Sequence, residues 1–186
     1  MNVYDFDGTI YNGDSSIDFW FFCLSKQPSL IRYFPQQLFG VICFKLGKIS
    51  KEKFKSSYFS FLKGISNIDI FVKLFWDKKQ DKIKEWYKNI KKYDDCIISA
   101  SPYFLLEEIC KRICIQNLIA TKVDQTSGQL LGNNCHGKNK SVFFVKHFSN
   151  AEIENFYSDS ASDIYLAQLA KNAFIVKKNK LIKWEK

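Results

Sequence analysis

The apolar periodicity of the chain changes twice, and those changes limit the folds open to it. The opening "NVYDFD" reads as a short buried strand ending on two carboxylates, Asp5 and Asp7, ahead of Gly8 and Thr9. From Ser15 to about Trp86 apolar residues recur at spacings of three and four, as in "SSIDFWFFCLSK", "PSLIRYFPQQLFGVICFKLG" and "SNIDIFVKLFWDKKQDKIKEWYKNI". This spacing predicts a helical block, with Ser50 and Ser66 as N-caps, Pro28 near a helix start, and Gly47 and Gly64 as stops. Beyond it the reading is strand "CIISAS", helix "SPYFLLEEICKRI" capped by Ser101, paired strands "NLIATKVD" and "QLLGNNC", and helix "KNKSVFFVKHF". Strand "IENFYSD", helix "SASDIYLAQLAKN" and two closing strands around Asn179 complete the chain. Strands alternating with helices imply parallel pairing. The fold class is therefore α/β, a doubly wound parallel sheet, with residues 15–86 inserted as a helical unit into a core of 1–14 and 87–186.

Composition narrows the class. At 46% hydrophobic and 17% aromatic residues the chain buries a core, which excludes disorder. A net charge of +9 suits an anionic partner, whether nucleic acid, a phosphorylated small molecule or a membrane surface. The lysines are spread through amphipathic stretches without a recognised nucleic-acid motif, so no nucleic acid is expected. No signal-peptide pattern and no apolar run near the roughly 18 residues of a membrane span occur, so a cytoplasmic location is expected. Six cysteines without a C-x-x-C pair read as reduced, mostly buried thiols, with Cys110 and Cys114 on one helix face. His136 and His147 are isolated and suggest neither a metal site nor a triad.

The chemistry sits in the carboxylates. In an open α/β sheet, ligands bind beyond the carboxyl ends of the strands. Asp5 and Asp7, two apart, can both face that crevice while Phe6 turns to the core. Close carboxylates repel unless a cation lies between them or one holds a proton, and magnesium is the hard, oxygen-loving choice. "YSDSASD" ends a second apolar strand and offers Asp159 and Asp163 to the same point. "IISAS" places Ser99 and helix-start amides near a phosphate oxygen, and "HGKNKS" offers Lys138 or Lys140 as a fixed positive charge. Singly these features are commonplace: Asp-x-Asp pairs occur in solvated turns, serines cap helices, and most lysines face solvent. Their order along the chain, acid pair, hydroxyl, lysine and acid pair, each at a strand end or helix start, is what carries information.

"DFDGT", "IISAS", "GKNK" and "YSDSASD" resemble the four motifs of the haloacid dehalogenase (HAD) superfamily of phosphohydrolases. The insertion after the first motif resembles that family's C1 cap, and "NNCHGKNKS" with "FYSDSASDIYLAQLA" is similar to subfamily IB, which includes phosphoserine phosphatases. The resemblance implies a Rossmann-like core and a Mg²⁺-dependent phosphatase. Under it Asp5 is the nucleophile that forms an aspartyl-phosphate and Asp7 the general acid and base. Asp5, Asp159 and the Asp7 backbone carbonyl meet the metal, while Asp163 holds the metal shell or the lysine. Ser99, the Ala100 amide and the backbone of Phe6 and Gly8 bind the phosphoryl oxygens. A lysine three after the glycine selects Lys140 over Lys138 as the balancing charge.

Substrate choice is less specified. Asp14 aligns with a glutamate that holds the amine in phosphoserine phosphatases, but Tyr58 falls where those enzymes carry a carboxylate-binding arginine. A shifted alignment moves Lys53 or Lys55 there. The greasy stretches "FWFFCL" and "YFPQQLFGVICFKL", flanked by lysines, resemble the phosphatidylglycerophosphate phosphatase branch and suit peripheral contact with an anionic membrane. Alternatively they form the insertion's own core. Lipid phosphate is then the expected substrate, with phosphoserine or another small metabolite as the alternative. A reading of another class, nucleotide or nucleic-acid binding without catalysis, rests on "GNNCHGK", which fits most of a P-loop through Gly132, Gly137 and Lys138. It fails at Asn139, where a Mg²⁺-binding hydroxyl belongs.

Overall fold

A computed structural model of the chain describes residues 1–185. Strand β1 (Asn2–Tyr4) lies inside a six-stranded sheet of order β3-β2-β1-β4-β5-β6, with β2 at Cys96–Pro102, β3 at Asn117–Thr121, β4 at Ile153–Ser158, β5 at Ala170–Lys177 and β6 at Lys180–Lys183. All pairings are parallel except β5 with β6. Strand order reverses at β1, so the crevice of this α/β sheet opens where β1 ends. So short a strand is held by side chains as well as by its ladder. The buried Asp95 carboxylate accepts from the Asn2 amide at 3.0 Å, the Lys92 amide at 2.8 Å and the Tyr4 hydroxyl at 3.3 Å.

Alternating side chains divide the core into two layers. Tyr4, Ile97 and Tyr157 point to the face covered by the helical block and α6 (Tyr103–Arg112). Val3, Cys96, Ile98 and Phe156 point to the other, covered by Phe144 of α7 (Lys138–His147) and by Leu166 and Ala167 of α8 (Ile164–Ala167). The block between β1 and β2 comprises α1 (Ser15–Lys26), a 3₁₀ segment Pro28–Tyr33, α2 (Phe34–Lys45), α3 (Lys51–Tyr58), a second 3₁₀ segment Phe59–Gly64, α4 (Ile68–Lys79) and α5 (Glu85–Ile90). Asp14 caps α1 and Ser50 caps α3 through their side-chain oxygens.

Several local expectations change. Ser66 does not cap α4; the side-chain oxygen of Asn67 does, because it reaches the Ile70 amide. Ser101 caps nothing: β2 runs on through Pro102, and the hydroxyl is used elsewhere. The stretch after β3 does not pair as a strand beyond one bridge, Val123 with Leu130, because the Asp124 carboxylate folds residues 124–128 into a turn by accepting from Thr126 and Ser127. The last helix is shorter than its pattern, since β5 claims the chain from Ala170. Cys114 lies past the end of α6 with φ +56° and is exposed, so it does not share a helix face with Cys110. The aromatic stripes divide: Phe19, Trp20, Phe22, Phe59 and Phe61 are core, whereas Phe34, Phe39 and Phe44 are exposed. Among the described residues, no helix is long and apolar enough to cross a membrane.

Candidate active site

β1 delivers its carboxylates just past its last ladder residue. The Asp5 amide still donates to Tyr157 O at 2.9 Å, and then the chain turns sharply, with the Ile10 and Tyr11 amides both donating to Phe6 O. Phe6 is fully buried against Tyr11 and Trp76, which leaves Asp5 and Asp7 facing a cleft of about 420 Å³. Gly8 makes the turn at φ +71°, and it is also where the Asp159 carboxylate rests: a Cβ there would sit 2.0 Å from Asp159 Oδ2. Glycine is needed for both reasons.

Lys140, on the first turn of α7, is buried with its ammonium 2.6 Å from both Asp5 Oδ1 and Asp163 Oδ2. Asp163 also accepts from the Ser158 hydroxyl at 2.8 Å. Its two attractive partners hold the Lys140 ammonium above its ordinary range against the cost of burial. Lys138, two residues earlier, is exposed. Burial raises Asp5 to about 6 even though Lys140 opposes the shift. Burial likewise raises Asp7 to about 7, helped by the charge of Asp14 and opposed by the Ser101 and Ser15 donors. Asp7 accepts from the Ser15 amide at 2.7 Å and the Ser101 hydroxyl at 2.5 Å.

Asp5 and Asp159 share one hydroxyl, since Thr9 Oγ1 lies 3.4 Å from Asp5 Oδ2 and 3.4 Å from Asp159 Oδ1. One hydroxyl has one proton to give, so both carboxylates retain free acceptor capacity. Asp159 remains open to solvent, and partial desolvation raises its pKa. Among the described residues no group of three or more His, Cys, Asp or Glu side chains is placed to hold a metal ion by itself. This donor set fits a magnesium ion, which is usually held by one or two carboxylates and completed by water and phosphate oxygens.

The remaining sequence candidates line or border the same cleft. Ser99 is buried at its floor, where its hydroxyl accepts from the Ser101 amide, and the Ala100 carbonyl accepts from the Lys55 ammonium at 2.7 Å. Asp14 lines the mouth. Tyr58 also lines it, but its hydroxyl donates to Ser16 O at 3.0 Å, and burial raises its pKa. Lys53 is exposed, whereas Lys55 reaches in, bonded also to Asn134 Oδ1 at 2.7 Å and lowered to about 8 by burial and the charge of Lys51. Ser101, Asn134 and His136, which Lys51 meets at 2.9 Å, fall inside the quoted motifs, but sequence reasoning assigned none of them a role in the site. Only the position of Ser101 two residues after Ser99 hinted at it.

A family model described as haloacid dehalogenase-like hydrolase matches residues 3–168. No curated protein matches the chain. Among solved structures, a protein of unknown function from Bordetella pertussis Tohama I superimposes with a TM-score of 0.76 at 16% identity, over 94% of this chain and 88% of the other. A phosphoserine phosphohydrolase-like protein from Francisella tularensis subsp. tularensis SCHU S4 gives 0.58 at 18% identity, over 96% and 88%. A probable phosphoserine phosphatase from Vibrio cholerae gives 0.66 at 11% identity, over 92% and 55%. At these identities the likeness is one of fold.

Proposed function

The chain belongs to the haloacid dehalogenase-like hydrolases, and from that membership we propose that it is a magnesium-dependent phosphomonoesterase of the phosphoserine phosphatase-like group. The observation that carries this reading is Lys140 between Asp5 and Asp163, with Asp7 lining the same cleft. Lys140 leaves Asp5 ionised and turned toward an incoming phosphorus. An Asp5 oxygen bonds to that phosphorus as the ester oxygen leaves, giving an aspartyl-phosphate on this side chain. Asp7, steadied by Ser101 and Ser15, gives its proton to the leaving oxygen and later takes one from the attacking water. Ser99 and the amides of Phe6 and Ala100 orient the phosphoryl oxygens, whereas the Gly8 amide, which the sequence also offered, is already given to Gly13 O at 2.9 Å. Asp5, Asp159 and the Asp7 carbonyl would hold Mg²⁺, which when bound supplies neutralisation of charge on the phosphoryl oxygens. Residues 15–86 act as the cap over a core of 1–14 and 87–186, and the family's IB branch is the one this arrangement favours.

For the substrate we favour an amphiphilic phosphate such as phosphatidylglycerophosphate, because Ile17, Phe54 and Phe59 give the cleft an apolar lining beside its carboxylates. A second reading, an amino-acid phosphate such as phosphoserine, is favoured by Lys55 and Asp14 on the same cleft, a cation and an anion suited to a zwitterion. Phosphate release from a panel holding both classes, with Mg²⁺ or with EDTA and with Asp5→Asn alongside, tests all of this. Release that needs Mg²⁺ and is lost in Asp5→Asn supports the chemistry, and the preferred substrate decides between the readings. Release that survives Asp5→Asn overturns it.

A further inference from the structure

α2 is built inside out. Its buried line is Gln37, Gly40 and Cys43, where Gly40 lets the helix pack directly on Ser57 of α3 and Gln37 donates to Tyr58 O at 2.7 Å. The opposite arc, at successive spacings of four, is Phe34, Leu38, Ile42 and Leu46, with Phe39 beside it. These side chains face solvent, Phe39 being 68% and Leu46 63% exposed. A surface helix normally turns such an arc to its own core. A contiguous exposed apolar face of this kind marks a surface that meets something else.

Charge indicates what that is. Between Asp18 and Glu52 the sequence contains no carboxylate side chain, while Lys26, Arg32, Lys45 and Lys48 are all exposed there. A second copy of the chain would bring the same cations against themselves, so the face is not self-complementary. An apolar arc on a stretch of chain that carries cations and no carboxylate matches the boundary of an anionic bilayer, where aromatic and aliphatic side chains enter the acyl region and lysines stay with the headgroups. Phe44, seven residues after Gln37, lies on the inner side of α2, where it stacks on Phe54 of α3 with ring centroids 5.1 Å apart, so the apolar arc is on the far side of α2 from α3. We infer that the outer face of α2 docks the protein on anionic membrane surfaces.

Docking depends on none of the proposed catalytic steps, so it can be tested without turnover. The full chain is centrifuged with vesicles of phosphatidylcholine alone or of equimolar phosphatidylcholine and phosphatidylglycerol, at low and high salt. Co-sedimentation with the anionic vesicles only, weakened by salt and reduced about tenfold or more in Phe39→Glu/Leu46→Glu, is the expected result. In Phe39→Trp, indole quenching by brominated acyl chains in excess of that of the four native tryptophans in the parent chain locates the face in the bilayer. Binding that is equal in the double variant, or equal on neutral vesicles, overturns the inference. So does absence of vesicle binding accompanied by a dimer that the double variant dissociates. Circular dichroism and melting temperature of the variants, whose changes lie on exposed positions, separate loss of docking from loss of fold.

Discussion

The Ser101 hydroxyl donates to the Asp7 carboxylate at 2.5 Å, joining the end of β2 to the loop after β1 across 94 positions of sequence. Asp7 owes its orientation to this bond and to the Ser15 amide. Ser101→Ala removes one of two donors and leaves the carboxylate free to rotate, so kcat is expected to fall by about ten- to a hundredfold with KM little changed. Steady-state kinetics on one alkyl phosphate measure it. A change confined to KM would assign Ser101 to substrate binding instead.

Asp7 as proton donor matters in proportion to how badly the leaving oxygen needs the proton. Asp7→Asn is therefore expected to cost about 10²–10⁴ in kcat with alkyl phosphates and far less with p-nitrophenyl phosphate, whose leaving group departs as a stable anion. Equal losses on both substrates would remove Asp7 from the acid role.

Lys55 predicts a pH dependence. Burial first, and the charge of Lys51 second, lower it from its ordinary 10.5 to about 8. The cation is present below that pH and lost above it, so KM for anionic substrates should rise as pH increases through about 8, and Lys55→Met should flatten the rise. Linkage runs in the opposite sense for stability. Between pH 8 and 10.5 the unfolded chain keeps a proton that the folded protein has released, so this lysine's cost to stability is full below 8 and disappears as pH climbs through that window. Denaturant midpoints of wild type and Lys55→Met across that range check the second part.

The helical layer is clamped to the core at one glycine. Gly128, at φ +74°, approaches so closely that a Cβ would lie 2.1 Å from the Phe59 carbonyl oxygen, a backbone atom that cannot swing aside. Gly128→Ala combines an unfavourable backbone conformation with this clash and should cost about 2–4 kcal/mol. Gly47, at φ +68° with nothing near its Cβ position, is the control, and its alanine variant should cost only about 1 kcal/mol. Urea unfolding of both variants compares them. Equal losses would show that the contact at Phe59 contributes nothing.

Lys84 links the last turn before α5 to the site. Its ammonium donates to Gly8 O at 2.5 Å and Lys178 O at 2.7 Å, behind the turn that carries Asp5 and Asp7. Lys84→Met leaves two carbonyls without their donor. A melting-temperature loss of several degrees, with kcat falling more than tenfold, is expected if the loop relies on this support.

The order of elements, the doubly wound class and the gathering of four acidic residues with a lysine were legible in the chain because they rest on local signals. A period of two or of 3.6 reports which face of an element is apolar, and a short run such as "DFDGT" reports a turn after a strand. Asn67 capping in place of Ser66, and β5 cutting α8 short, are cases where neighbouring local signals were nearly equal and a hydrogen bond or a strand pairing chose between them. Tertiary structure alone decided the rest. That Lys55, and not Lys53, brings a cation to the cleft beside the aligned Tyr58 depends on how α3 is rotated over β2, through contacts of Lys55 to Ala100 and Asn134 that lie 45 and 79 positions away. That Phe19 and Phe22 of α1 are core while Phe34 and Phe39 of α2 face outward depends on which helix meets the sheet. An apolar periodicity states that a helix has a face and not what lies against it, because burial is a property of the surface that arrives from elsewhere in the fold.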